Sequence, residues 1–151
     1  MTDHAAVIRA RRSNVYGEHA QNLARSTLVR MGFAMVERIE TGYVRRKGRW
    51  VPGARVSGDY RGVAPGGRSV LAEVKHRAEQ MVWSDLERHQ ADALDHHAKM
   101  DGLSLLIWVR LAGLVEIDVL DWRALRRAGF APRAVLTPGC EAILAARLVH
   151  A

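Results

Sequence analysis

The chain of 151 residues contains a single cysteine, Cys140. That excludes a disulfide framework and a thiolate metal site, and Cys140 reads as a small apolar side chain. The opening Met1-Thr2-Asp3-His4 lacks the basic-then-apolar pattern of a secretory leader. No stretch approaches the ~20 apolar residues that cross a bilayer. Internal repeats and low-complexity segments are missing too. So are the H-E-x-x-H pair, the G-x-S-x-G elbow and the G-x-x-x-x-G-K-[ST] loop, which removes support for zinc proteases, serine hydrolases and P-loop NTPases. His89, His96 and His97 fall in one helical segment without a metal motif and read as solvated. Acidic residues are the scarcer charge, with 16 Asp+Glu against 23 Lys+Arg and a formal net charge of +7. A polyanionic partner is expected, nucleic acid before an acidic membrane, against the alternative of a protein that is merely basic. The length suits one domain burying roughly two thirds of its unfolded surface. The chain reads as a soluble, cytoplasmic domain without a membrane partner.

Residues 1–13 end in Arg9, Arg11 and Arg12 and read as a flexible basic terminus before a single domain over 14–151. A helix is expected from Asn14 to Met31, with Tyr16, Ala20, Leu23, Ala24, Thr27, Leu28 and Met31 on one stripe and Gly32 as its stop. Phe33 to Ile39 reads as a strand. A hairpin or loop follows in which Arg45, Arg46, Lys47 and Arg49 lie between Tyr43 and Trp50. Cations interleaved with aromatics suit phosphate contact and base stacking; an ordinary solvated loop is the alternative. Past Lys75, residues 76–80 read as a loop. Ser84 and Glu87 form an S-x-x-E capping box opening a helix to about Met100, with Leu86, Gln90, Ala93, Leu94, His97 and Ala98 inward. The near-continuous apolar run Leu103 to Val109 is expected to be a central strand covered on both faces. Leu114 to Leu120 pairs with it, Asp121 caps a short helix through Arg127, and Thr137-Pro138 opens a last helix to Val149.

The chemistry concentrates in Gly58-Asp59-Tyr60-Arg61-Gly62-Val63 and Val70-Leu71-Ala72-Glu73-Val74-Lys75, joined by the turn residues Ala64-Pro65-Gly66-Gly67-Arg68. The second segment alternates: Val70, Ala72 and Val74 on one face, Leu71, Glu73 and Lys75 on the other. A fold-back about Gly66 sets Asp59 opposite Glu73 with β-carbons roughly 5 Å apart. A one-residue slip would send the two acids to opposite faces. Opposed carboxylates repel unless something positive lies between them, and a divalent cation with oxygen ligands is the candidate. Asp59, Glu73 and the Val74 carbonyl could hold Mg²⁺ or Mn²⁺, and Lys75 could offset charge on a phosphate under attack. Arg61, His76 and Arg77 flank the acids and join the hairpin cations and Trp50 as candidate nucleic-acid contacts.

Gly58-Asp59 followed by Glu73-Val74-Lys75 resembles the active-site signature of the PD-(D/E)xK nuclease superfamily, with Gly58 where that superfamily's name has proline. The order Asp59-Tyr60-Arg61-Gly62-Val63, Glu73-x-Lys75, His89-Gln90 and an apolar strand after Gly102 is similar to RecU-type and archaeal-type Holliday junction resolvases over about residues 14–125. The resemblance implies an α/β fold with a restriction-endonuclease-like core, a central mixed sheet flanked by helices. It implies a Mg²⁺- or Mn²⁺-dependent endonuclease of DNA recombination and repair, a homodimer acting on four-way junctions in a prokaryotic or phage setting. It makes Asp59 and Glu73 metal ligands, Lys75 the catalytic lysine and Gln90 an active-site residue. Where the superfamily often carries a first-helix glutamate, this chain has Gln21, with Glu18 one turn earlier. The segment Tyr43 to Trp50 stands where RecU-type enzymes carry a longer, junction-entering stalk. A nuclease of the same superfamily acting on other DNA, or a non-catalytic nucleic-acid-binding protein, remain alternatives.

Overall fold

The computed structural model describes residues 4–40, 43–52, 58–78, 80–111, 114–131, 133–135 and 143–149. Three helices, α1 (His4–Arg30), α2 (Arg88–Lys99) and α3 (Trp122–Ala128), flank a mixed six-stranded sheet. Its strands, in spatial order, are β1 (Ala34–Arg38), β4 (Tyr60–Val63), β5 (Ser69–Arg77), β6 (Leu103–Arg110), β7 (Val115–Asp121) and β8 (Ile143–Val149). β5 and β6 run parallel, joined by the segment that carries α2, and the other neighbours are antiparallel. β2 (Tyr43–Arg46) and β3 (Arg49–Pro52) form a separate hairpin. Lys47 and Gly48 turn it with φ of 48° and 76°, as a two-residue primed turn requires.

The alternation in β5 divides the core. Val70, Ala72 and Val74 pack with Ala20, Ala24 and Leu28 of α1 and with Leu105, Ile107 and Val109 of β6. Leu71 packs on the other side with Leu94 and Ala98 of α2, Leu106 and Trp108 of β6, and Trp122 and Leu125 of α3. β6 therefore contributes buried side chains to both layers, as its unbroken apolar run requires. At the start of α3, Asp121 accepts a 3.0 Å hydrogen bond from the Ala124 N–H, which is the expected cap.

Several elements differ from expectation. α1 begins at His4 rather than Asn14, because Ala5, Ala6, Arg9, Ala10, Arg11 and Arg12 are good helix formers, with no glycine or proline until Gly17. Tyr16 leaves the buried stripe and is 54 % exposed. β5 runs on through His76 and Arg77, where a loop was expected. The Ser84–Glu87 box does not form. A 3-10 turn spans Trp83–Asp85, Leu86 is extended, and α2 starts only at Arg88. Asp85 accepts from the Val82 N–H at 2.9 Å and Gln90 Oε1 from the Glu87 N–H at 2.9 Å, so each short element has its own cap. The expected last helix is strand β8 over 143–149. The open edge of β7 supplies ladder hydrogen bonds that outweigh the helical propensity of this segment. Cys140 and Thr137-Pro138 lie outside the described residues.

Among the described residues, no helix is long and apolar enough to cross a membrane. At the start of β6, Gly102 is buried and a β-carbon there would run into the His97 ring. That ring is held between Ser69 Oγ at 3.1 Å and Ser104 Oγ at 3.0 Å, so it has little room to give. Gly102→Ala is expected to cost about 1–3 kcal/mol, read as a lower urea midpoint at unchanged m value. A wild-type midpoint would contradict this packing.

Candidate active site

The β4–β5 hairpin adopts the register expected from a turn about Gly66, with Tyr60 opposite Ala72, Arg61 opposite Leu71, Gly62 opposite Val70 and Val63 opposite Ser69. Asp59 lies just beyond the paired segment. Its N–H donates to the Ala72 carbonyl at 2.8 Å, and its Oδ2 accepts from the Val74 N–H at 2.7 Å. This bond puts the Asp59 carboxylate on the β5 edge beside Glu73. The N–H and C=O of one strand residue leave the backbone on the same edge, so the Val74 carbonyl opens toward Asp59 as well. Gly58 precedes it at φ +90°, a conformation that a side chain would strain, and a β-carbon there would strike Leu71.

Glu73 is 3 % exposed. Three groups meet its carboxylate. Gln90 Nε2, from the first turn of α2, donates to Oε1. Lys75 Nζ stands 3.5 Å from the same oxygen, and the Gly58 backbone N–H is a further donor. Gln90 thus joins two tasks, since its amide oxygen also caps α2. Burial, followed by the Asp59 charge, pushes the Glu73 carboxyl from 4.5 up to about 7, against the pull of Lys75.

These groups line an open cavity of about 530 Å³, together with Gly17, Glu18 and Gln21 of α1, Arg38 of β1, and His76 and Arg77 of β5. The Tyr60 hydroxyl donates to the Gln21 carbonyl at 3.0 Å and ties α1 to β4 beside the acids. Glu18 and Gln21 behave differently. Both Glu18 oxygens take Arg38 Nη1, at 3.0 and 3.1 Å. Gln21 Oε1 is buried and has no hydrogen-bond partner. A buried orphan acceptor is costly unless something fills its lone pairs.

Among the described residues, no group of three or more His, Cys, Asp or Glu side chains stands ready for a metal ion. The oxygen donors at the cavity are the Asp59 and Glu73 carboxylates and the Val74 carbonyl, with the Gln21 amide beside them. That all-oxygen set fits a hard divalent cation that keeps several waters, as Mg²⁺ does, and it does not fit zinc. A cation here would also relieve the Asp59–Glu73 repulsion that holds the Glu73 carboxyl up.

Not every expected contact converges on the cavity. Arg61 is exposed and pairs with Glu37 at 2.9 Å, away from the cavity lining. Arg77 lines the cavity, yet its guanidinium is tied to Asp85 at 2.9 Å. His76 also lines it, with its pKa lowered by burial and by Arg77 and Lys75. The cations Arg45, Arg46, Lys47 and Arg49 are exposed on the β2–β3 hairpin, and Trp50 is 69 % exposed. The hairpin is inserted between Ile39 and Asp59, which are joined by a 2.8 Å hydrogen bond from the Ile39 N–H to the Asp59 carbonyl. It therefore springs from the sheet end that carries Asp59. Sequence reasoning missed Arg38. A bulge at Met35, with φ of 52°, resets the strand between Ala34 and Glu37, and simple alternation gives no sign of it. The available signal was Glu18, a lone acid facing this strand from α1.

The Glu73 shift has a definite sign. Between pH 4.5 and about 7 the folded chain keeps a proton that the unfolded chain has released, so stability falls as pH rises through that window and the loss is complete above it. The full effect is on the order of 3 kcal/mol. Glu73→Gln, which mimics the protonated acid, should stabilise the metal-free protein by about 1–3 kcal/mol at pH 8 and hardly at all at pH 4.5. Urea unfolding in EDTA at both pH values measures this, and equal effects at the two would contradict the burial argument.

No protein-family model matches the chain, and no curated protein matches it significantly.

Proposed function

We propose that the protein is a divalent-metal-dependent DNA endonuclease and, within that class, a Holliday junction resolvase with a restriction-endonuclease-like core. The observation that carries this reading is the meeting of Asp59, Glu73 and Lys75 at one cavity, with Gln21 among its lining residues. A phosphodiester is the substrate class such a set suits. The acids invite a cation, the cation invites a phosphate, and the surrounding arginines and lysines favour a polyanion.

Asp59, Glu73, the Val74 carbonyl and Gln21 Oε1 would hold Mg²⁺ or Mn²⁺. When bound, the ion polarises the scissile phosphate and brings the pKa of a bound water toward neutrality. The remaining work belongs to the chain. Gln90 fixes the orientation of Glu73 through its amide. Lys75 presents its ammonium at the cavity edge of Glu73, placed to orient the attacking water and offset charge gathering on phosphorus. Arg38, anchored by Glu18, adds positive charge on the wall formed by β1. The hairpin cations supply backbone contacts, and Trp50 supplies a face for stacking. The reading includes a homodimer, since resolution needs two matched cuts.

Cleavage of a labelled four-way junction, beside linear duplex, flap and single-strand substrates, tests the reading. Paired nicks are expected with Mg²⁺ or Mn²⁺ and none in EDTA. Asp59→Asn and Lys75→Ala should each lower the rate by about two to three orders of magnitude. Equal cutting of junction and linear duplex would remove the resolvase assignment and leave the nuclease. Metal-independent function, unchanged in Asp59→Ala, would remove both.

A further inference from the structure

A second cavity, of about 290 Å³, opens beside the first and is lined by Tyr16, His76, Ala78 and Leu111. The two adjoin. His76 borders both, and Tyr16 of one adjoins Gly17 of the other along α1. The notch lies at the carboxyl ends of the parallel strands β5 and β6, where the Leu111 N–H donates to the Arg77 carbonyl at 3.1 Å. Crevices at the carboxyl ends of parallel strands are where open α/β sheets bind ligands.

Its chemistry differs from that of the acidic cavity. Ala78 and Leu111 give it apolar walls. Tyr16, 54 % exposed one turn before the buried stripe Ala20, Ala24 and Leu28 of α1, gives it an aromatic face. The Tyr16 hydroxyl and the His76 ring nitrogens make no hydrogen bond among the described residues. The His76 ring packs against α1 at Gly17, where a β-carbon would stand in ordinary contact with it at 3.5 Å. An aromatic plane, two free polar groups and apolar walls around a space for one flat heterocycle are the usual elements of nucleobase recognition.

We propose that the notch between Tyr16 and His76 is a nucleobase subsite, taking an unstacked base next to the phosphate at Asp59, Glu73 and Lys75. The inference rests on reading the neighbouring cavity as a phosphodiester site, and it narrows the substrate. A base inside a regular duplex is stacked and paired, so it cannot enter. The preferred DNA is unpaired or easily unstacked at the nucleotide beside the cut, as at a branch point. Tyr16 and His76 are then specificity residues, and the bond-breaking groups stay in the first cavity.

The test uses four-way junctions with 2-aminopurine placed in turn at each nucleotide beside the branch point, bound by full-length protein with Ca²⁺ in place of Mg²⁺. Cleavage in Mg²⁺ is measured in parallel. Wild type is expected to quench the fluorescence at one position. Tyr16→Ala should lose that quenching and bind about tenfold more weakly, while Tyr16→Phe keeps the quenching. Tyr16 is exposed, so Tyr16→Ala retains the fold, which a circular dichroism melt checks. An abasic residue at the quenched position should weaken wild type by a similar factor and leave Tyr16→Ala unaffected. If wild type cleaves junctions but Tyr16→Ala binds and quenches as wild type does, the subsite is overturned and the nuclease reading stands. If wild type does not cleave yet shows Tyr16-dependent quenching, the subsite is supported and the nuclease reading fails. Neither cleavage nor Tyr16-dependent quenching overturns both.

Discussion

The arrangement around the cavity depends on one unfavourable contact. Glu73 is almost fully removed from water and faces a second carboxylate, Asp59, with one lysine nearby. In a purely structural hairpin this would be a poor place for two acids. The fold nevertheless holds them there firmly. Asp59 is fixed by the Val74 N–H, Glu73 by Gln90, and the Gln21 segment by the Tyr60 hydroxyl. Groups from α1, α2, β4 and β5 all hold a strained electrostatic site in place. Perturbed acids in an open cleft mark functional sites more often than structural ones.

The sheet explains how distant parts of the chain reach this point. The crossover from β5 through α2 to parallel β6 brings Gln90 over the β5 face that carries Glu73. The long helix α1 covers the opposite face and brings Glu18 and Gln21 of its middle turns to the cavity. The β2–β3 hairpin is inserted beside Asp59 itself, so its cations and Trp50 rise from the same end of the sheet. The Tyr16–His76 notch completes a surface that changes from basic and aromatic, through acidic, to apolar and aromatic. That sequence of surfaces suits a nucleic-acid strand whose backbone, scissile phosphate and base are gripped at different places.

Much of the site was legible in the chain. The alternation over Val70 to Lys75 and the glycines at 66 and 67 set a hairpin register that the structure reproduces, because a half-buried strand tolerates no slip. The apolar run before Val109 read directly as a doubly covered strand. Other elements depend on partners distant in sequence. Residues 143–149 are apolar with no clear period, and only the free edge of β7 makes them a strand. Ser84 and Glu87 match a capping box, yet Asp85 and Gln90 win the caps once β5 and β6 set where α2 must lie. Between Glu18 and Gln21, sequence could not choose. Only the structure shows that Arg38 takes both Glu18 oxygens, and Arg38 reaches α1 through the bulge at Met35.

The central claim is that Asp59 and Glu73 form a divalent-cation site. Crystals of the wild-type protein soaked in Mn²⁺, with anomalous data collected near the manganese edge, test it most directly. The account predicts an anomalous peak within direct coordination distance of Asp59 and Glu73, with Gln21 Oε1 or the Val74 carbonyl as a further ligand, and no such peak in Asp59→Asn. A peak elsewhere, or none at millimolar Mn²⁺ and pH 8, would contradict it.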